Sequence, residues 1–201
     1  MVALHFKLPY TVYGTNYIAP IFFNEFCAPF KNATGIWFTG GRQWKLVDAY
    51  MNTRVVEECW KLLERGGIIG GSSAGATIQG SYLARGDTKN NTVMMGDHEV
   101  GFGFVKNVAI DQHLLARNRQ FDLFEIVDKK PELLGIGLDE STAILVEGDT
   151  FEVIGKTYVA IYDGKFWRRD GNPVVPQMQS FDLLRPGDKY DLKNRKILIE
   201  E

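Results

Sequence analysis

The chain is most tightly constrained by the stretch Gly66-Gly67-Ile68-Ile69-Gly70-Gly71-Ser72-Ser73-Ala74-Gly75-Ala76. Two β-branched residues stand between glycine pairs, and the run closes on Gly-x-Ser-x-Gly with Ser73 at its centre. Ile68 and Ile69 suit a short buried strand, and residues 74–84 suit a helix. A serine on the tight turn between such elements has its oxygen pushed out of the sheet, within reach of a substrate. Glycines two residues either side remove side chains that would obstruct so close a turn. Ser73 is therefore a candidate nucleophile, and the rest of the chain must supply its partners.

Residues 1–34 read as irregular: Pro9, Gly14, Pro20 and Pro29 interrupt scattered aromatics, with at most one short element near Ile21 to Phe26. Regular structure is expected to begin at Gly35-Ile36-Trp37-Phe38-Thr39, a buried strand that stops at Gly40-Gly41-Arg42-Gln43. Helices are expected over residues 44–50 and 54–64. In the second, Val56, Trp60 and Leu63 share one face, and Glu57 pairs with Lys61 on another. Gly66 and Gly67 end it. The glycine- and asparagine-rich residues 86–103 read as a long surface loop.

Val108-Ala109-Ile110 is a strand that delivers Asp111-Gln112-His113. A helix over residues 118–129 should turn Phe121, Phe124 and Val127 inward. Residues 134–138 form another buried strand and deliver Asp139-Glu140. Antiparallel strands follow at residues 143–146, 151–154, 158–162 and 165–167, with turns at Gly148-Asp149 and Asp163-Gly164. Strand–helix alternation followed by hairpins indicates an α/β sandwich, and with no internal repeat residues 35–201 are expected to form one domain.

Composition narrows the partners. In a chain of 201 residues with a formal net charge of −2, charge gives no case for nucleic acid or an anionic membrane. No apolar run is long enough to span a bilayer. The first residues lack signal-peptide character, and Cys27 and Cys59 set no disulfide framework, so a cytoplasmic location is expected. No spacing suits a metal site, and no phosphate loop or dinucleotide fingerprint calls for a cofactor.

Ligands of open parallel sheets bind beyond the carboxyl ends of the strands. Four runs end in glycine-rich or polar loops: Gly40-Gly41-Arg42-Gln43, Ser73, Asp111-Gln112-His113 and Asp139-Glu140. If these runs are neighbouring strands, the four loops meet in one cleft. A serine nucleophile needs a base, and of His5, His98 and His113 only the last follows an expected strand. Glu140 is the nearest acid to orient the imidazole. The N–H groups of Ala74 and of the Gly40-Gly41 turn suit an oxyanion hole. Arg117 and Arg119 fit either a solvated helix face or recognition of a substrate carboxylate. Asp139 and Glu140 also suit helix or turn caps.

Taken together, the four loops, with Tyr158-Val-Ala-Ile-Tyr162, resemble the cyanophycinase-like branch of the S51 serine peptidases from about Thr34 onward. The resemblance implies a class I glutamine amidotransferase-like fold: a mostly parallel, flavodoxin-like three-layer sandwich with antiparallel hairpins added at its C-terminal end. It implies a serine peptidase that hydrolyses a peptide or isopeptide bond beside an aspartyl residue without a cofactor. Ser73 then resembles the nucleophile, His113 the base and Glu140 the third member, with oxyanion donors at Gly41 and Ala74. Gln43, Asp111, Gln112 and Arg117 resemble the residues that shape the substrate pocket, with Arg119 beside them. A homodimer is in keeping with the family.

Three departures stand out. Arg42 occupies a position where the family carries aspartate. Asp122 replaces a further arginine, which removes positive charge facing an aspartate-rich polymer. Only 39 residues precede Gly40, so the strands expected there are missing, replaced or covered by a partner. Two other readings stay open at this level. One is a catalytically impaired, truncated fold that serves as a binding protein. The other is an esterase in Ser–Asp–His order, with Asp87 or Asp97 as the acid.

Overall fold

The computed structural model describes residues 26–164, 168–169, 172–173 and 181–198. The expected strand at 165–167, His5 and most of the irregular first segment lie outside these residues. After a 3-10 turn at Ala28–Lys31, strand β1 (Gly35–Phe38) pairs in parallel with β2 (Ile68–Gly71). Between them lie helices α1 (Gln43–Tyr50) and α2 (Arg54–Glu64). Thr53 caps α2 by accepting from the Val55 N–H, a stabilising contact at a helix start. Gly66, with φ +83°, ends it in the left-handed region that glycine adopts without strain.

The buried face of α2 is turned one residue from the expected one. Val55, Glu58, Cys59 and Leu62 point inward, while Val56, Trp60 and Leu63 are half-buried. Lys61 consequently pairs with Glu58 at 2.9 Å instead of with Glu57.

Helix α3 is far shorter than the expected 74–84. It spans Ala74–Thr77 and gives way to β3 (Gly80–Tyr82). Gly80 sets the break: a Cβ there would lie 2.7 Å from the Val108 carbonyl oxygen. The chain at this point is being pressed against a neighbouring strand, which only glycine permits.

That neighbour is β4 (Val105–Gln112), followed by α4 (Leu123–Lys129) and β5 (Leu134–Leu138). Strands β6 (Thr142–Glu147) and β7 (Thr150–Gly155) form a hairpin around Gly148 (φ +59°), as the turn residues indicated. Next come β8 (Val159–Tyr162), the short pair β9 (Arg168–Arg169) and β10 (Asn172–Pro173), and then β11 (Asp182–Leu184), β12 (Lys189–Asp191) and β13 (Lys196–Leu198).

The expected strand runs therefore fall into three sheets. β1 and β2 stand as a pair, whereas β3, β4, β5, β8 and β11 form a five-stranded sheet. In the latter, β3–β4–β5 are parallel and β8 and β11 antiparallel. β13, β12, β7 and β6 make a separate antiparallel sheet.

Alternation along β4 and β8 shows how the layers are built. Val108, Ile110, Val159 and Ile161 face a core shared with Phe151, Val153 and Tyr190 of the antiparallel sheet. Ala109, Ala160 and Tyr162 face the opposite core, with Leu123, Phe124 and Val127 of α4. Phe121 precedes α4 and is exposed, contrary to its expected inward position, because the helix starts only at Leu123. A third core joins Phe38, Leu46, Val47, Cys59, Ala74, Ile78 and Phe102 behind the serine. Residues 86–103 are also not wholly superficial, since Met94 and Phe102 are buried. No helix among the described residues is long and apolar enough to cross a membrane.

Candidate active site

Ser73 follows β2 with φ +54° and ψ −119°. A non-glycine residue in this region costs on the order of 1–3 kcal/mol and persists only where its surroundings enforce it. Those surroundings are backbone atoms. A Cβ on Gly71 would lie 2.1 Å from the Gly75 oxygen, and one on Gly75 would lie 2.0 Å from the Phe38 oxygen. Across the cleft, a Cβ on Gly40 would come within 3.2 Å of the Ser73 Cβ. The Gly40-Gly41 loop thus closes directly over the serine. No hydrogen bond among the described residues uses the N–H of Gly41 or Ala74, since the turn's own bonds start at Gly75 N–H to the Ser72 oxygen.

Although β1–β2 and β4–β5 belong to different sheets, their ends meet. The Ser73 Oγ lies 3.0 Å from His113 Nε2, and His113 Nδ1 lies 3.0 Å from Glu140 Oε1. With Glu140 ionised, Nδ1 carries the proton and donates it to the carboxylate, which leaves Nε2 as the acceptor for the serine hydroxyl. Asp87 accepts from the N–H groups of Lys89 and Asn90, and Asp97 binds Thr88 and His98. Neither is the partner of His113, so the arrangement that Ser–Asp–His order requires does not form.

His113 also has positive φ, +57°, and polar contacts hold its turn. Asp139 Oδ1 accepts from Leu115 N–H at 3.0 Å and Ala116 N–H at 3.1 Å. The Arg117 N–H donates to the His113 oxygen at 3.0 Å. Of the two acids at the end of β5, Asp139 is thus the turn cap and Glu140 the partner of the histidine. The Glu140 backbone is held in turn by the Thr157 hydroxyl, which donates to its carbonyl at 2.7 Å.

The residues expected to shape a pocket divide into two groups. Arg117 is exposed, as is Arg42, and neither has a carboxylate partner among the described residues. Gln43, Asp111, Gln112 and Arg119 are buried. Gln43 donates to the Ala84 oxygen at 3.4 Å. Arg119 Nη1 donates to both the backbone oxygen and Oε1 of Gln112, at 3.0 and 3.1 Å. Burial, followed by repulsion from Arg85, lowers the pKa of Arg119 from its ordinary value. These four form a buried wall next to the Ser73–His113–Glu140 array.

The sequence reading missed Arg85. It grips Asp111 with two bonds, Nε to Oδ1 at 2.8 Å and Nη2 to Oδ2 at 2.9 Å, and Nη2 also pairs with Asp122. Burial alone would lower its pKa, but the bonds and charge of Asp111 and then Asp122 outweigh that and raise it. Nothing local marks an arginine 26 residues from its partner; the signal lay in Asp111, a carboxylate inside a strand that needs a cation once buried.

The geometry agrees with the comparisons to known proteins. A cyanophycinase from Geminocystis herdmanii is 31% identical over 179 residues, covering 83% of this chain and 65% of that protein. One from Trichormus variabilis is 30% identical, covering 85% of this chain and 61% of its own length. The chain therefore spans less than two thirds of either relative. The crystal structure of a peptidase from an acI-B1 actinobacterium superposes with a TM-score of 0.56 over 84% of this chain and 63% of that one, at 24% identity, which supports the shared fold. The sequence model of peptidase family S51 matches residues 25–154, the span that carries the Gly-Gly loop, the serine turn, the histidine and the glutamate, and this chain belongs to that family.

Proposed function

We propose that this protein is a serine-type peptidase that hydrolyses a peptide or isopeptide bond next to an aspartyl residue. The observation that carries the reading is the unbroken relay Ser73 Oγ–His113 Nε2 and His113 Nδ1–Glu140 Oε1, each link 3.0 Å. In this reading Ser73 attacks the carbonyl carbon while His113 takes its proton at Nε2. The N–H groups of Gly41 and Ala74 receive the oxyanion. His113 then gives the proton to the leaving amine. A water, deprotonated by the same nitrogen, hydrolyses the acyl-serine ester. Glu140 stabilises the imidazolium that exists in each half-reaction.

An acidic substrate fits Arg117 and Arg42, exposed cations at the ends of the histidine and glycine loops. A guanidinium without a protein partner is suited to grip a carboxylate in a forked geometry. Arg119, turned inward, supports the wall instead. Asp122 adds a carboxylate beside this wall, where Arg85 is already engaged. That favours short aspartyl peptides over an aspartate-rich polymer such as the one named by the cyanophycinase relatives.

The test is a panel of α- and β-linked aspartyl dipeptides, with cyanophycin as a further arm, and labelling of a separate sample with a serine-directed fluorophosphonate. Labelling at Ser73 and turnover confined to aspartyl substrates support the reading. Folded protein that is neither labelled nor active would instead mark a binding protein.

A further inference from the structure

Arg85 has no hydrogen bond to Ser73, His113 or Glu140, yet it joins several parts of the site's framework. Its Nε and Nη2 hold the fully buried Asp111. Its Nη2 also reaches Asp122, just before α4, and Nη1 donates to the backbone oxygens of Asn91 and Thr92, at 3.2 and 3.4 Å, in the loop of residues 86–103. Asp111 stands two residues before His113, and Gln112 between them is held by Arg119. Both residues leading to the strained His113 turn are therefore fixed by a buried arginine.

We propose that Arg85 is the positioning residue for the base: through Asp111 it holds the end of β4, and hence the His113 ring, in register with Ser73. This rests on the serine-peptidase reading above. Only a guanidinium satisfies the arrangement. It supplies five N–H donors in a rigid fork, and here they are divided among a bidentate carboxylate, a second carboxylate and two carbonyls. A lysine would keep the charge but reach one or two of these acceptors. Deleting the charge would strand Asp111 without compensation in the interior, the costlier loss. The loop of residues 86–103 also binds α1 through His98 and Asp48 at 2.8 Å. Arg85 thus ties the histidine to the helix that follows the Gly40-Gly41 loop.

The experiment is Arg85→Lys, read in two ways. On the best aspartyl dipeptide, kcat should fall about 10-fold or more, as a displacement of well under an ångström at the base allows, with KM held within about 2-fold. Ser73 labelling by the fluorophosphonate should slow by the same factor. Independently of activity, amide exchange at residues 114–117 should accelerate in the folded variant while exchange in β7 does not change. Lys129→Gln, which removes an exposed ion pair with Glu125 on α4 and leaves the grip on Asp111 intact, should change kcat by less than about 3-fold. If Arg85→Lys does not fold, Asp111→Asn carries the same expectations. A raised KM at unchanged kcat, or wild-type exchange at 114–117, overturns the proposal. If the wild type is itself unlabelled and inactive, the peptidase reading fails, and the exchange result alone decides whether Arg85 holds the turn.

Discussion

Ser73 and His113 share an unusual backbone sign, φ +54° and φ +57°, but are forced into it by different means. Around the serine the constraint is steric: Gly71 and Gly75 let backbone approach backbone at distances that no side chain would tolerate, and Gly40 lies close against the Ser73 Cβ. Around the histidine it is polar: Asp139 receives two N–H groups, Arg119 clamps Gln112, and Arg85 holds Asp111. The serine half should therefore fail through added volume, and the histidine half through lost charge or hydrogen bonds. A repulsive wall gives little until it breaks, whereas hydrogen bonds fail in steps.

The largest expected effect removes the atom both halves serve. Ser73→Ala should abolish labelling and lower kcat by about 10⁴-fold or more, while thermal stability holds, because alanine places the same Cβ in the same backbone conformation. Gly75→Ala comes next and tests the steric half. Its Cβ would meet the Phe38 oxygen at 2.0 Å, so a loss of about 3 kcal/mol in urea unfolding and strongly reduced labelling are expected. An alanine accepted without cost would show that the wall is not what fixes the serine.

Glu140→Gln probes the polar half at its outermost link. Turnover should fall about 100-fold, less than for a buried triad acid, because this carboxylate is 57% exposed. Asp87→Asn and Asp97→Asn should leave ester and peptide turnover within about 2-fold, since neither acid reaches His113.

The smallest effect concerns the tie between the halves. When protonated, His98 donates to both Asp97 and Asp48, and its pKa is raised by the Asp97 bond, then by Asp48, against the opposing pull of burial. A raised folded-state pKa means that the contribution to stability is complete below the unfolded imidazole value. It disappears as pH rises through the folded value. Asp97 works in the opposite sense. It is lowered to about 2 by Thr88 and then His98, so its share is lost as pH falls from the ordinary aspartate range toward that value. The tie is therefore strongest in mildly acidic solution. The melting temperature of His98→Gln should differ most from wild type near pH 5 and converge with it in alkaline buffer.

How much of this was legible in the chain depends on the range of the interaction. Strand ends are written locally, so Gly40, Ser73, His113 and Glu140 could each be placed at the end of an apolar run before any pairing was known. The early end of α3 was not legible, because Ala74 to Ala84 suits a helix; what stops it is β4 pressing on Gly80, a contact across space. The rotated face of α2 arises in the same way: Val55 and Cys59 are drawn into the core behind the serine, and Glu58 is tolerated inside because Lys61 and Arg54 pair with it, the Lys61 bond foremost in lowering its pKa. The separation of β1–β2 from β4–β5 also escaped, since hydrophobic runs record burial and not which strand lies beside which.

Glu140 is more than half exposed, whereas Asp111 is wholly enclosed. Dissolved ions can therefore approach one carboxylate of this site and not the other. At 1 M salt the screening length falls to about 3 Å, comparable to the Glu140–His113 separation. Concentrated electrolyte should weaken the acid's hold on the imidazolium formed during turnover while the Arg85 pair is scarcely affected. For a peptidase of the proposed kind, ionic strength would then be a reversible adjustment of rate, applied from the solvent side of Glu140, without loosening the fold that carries it.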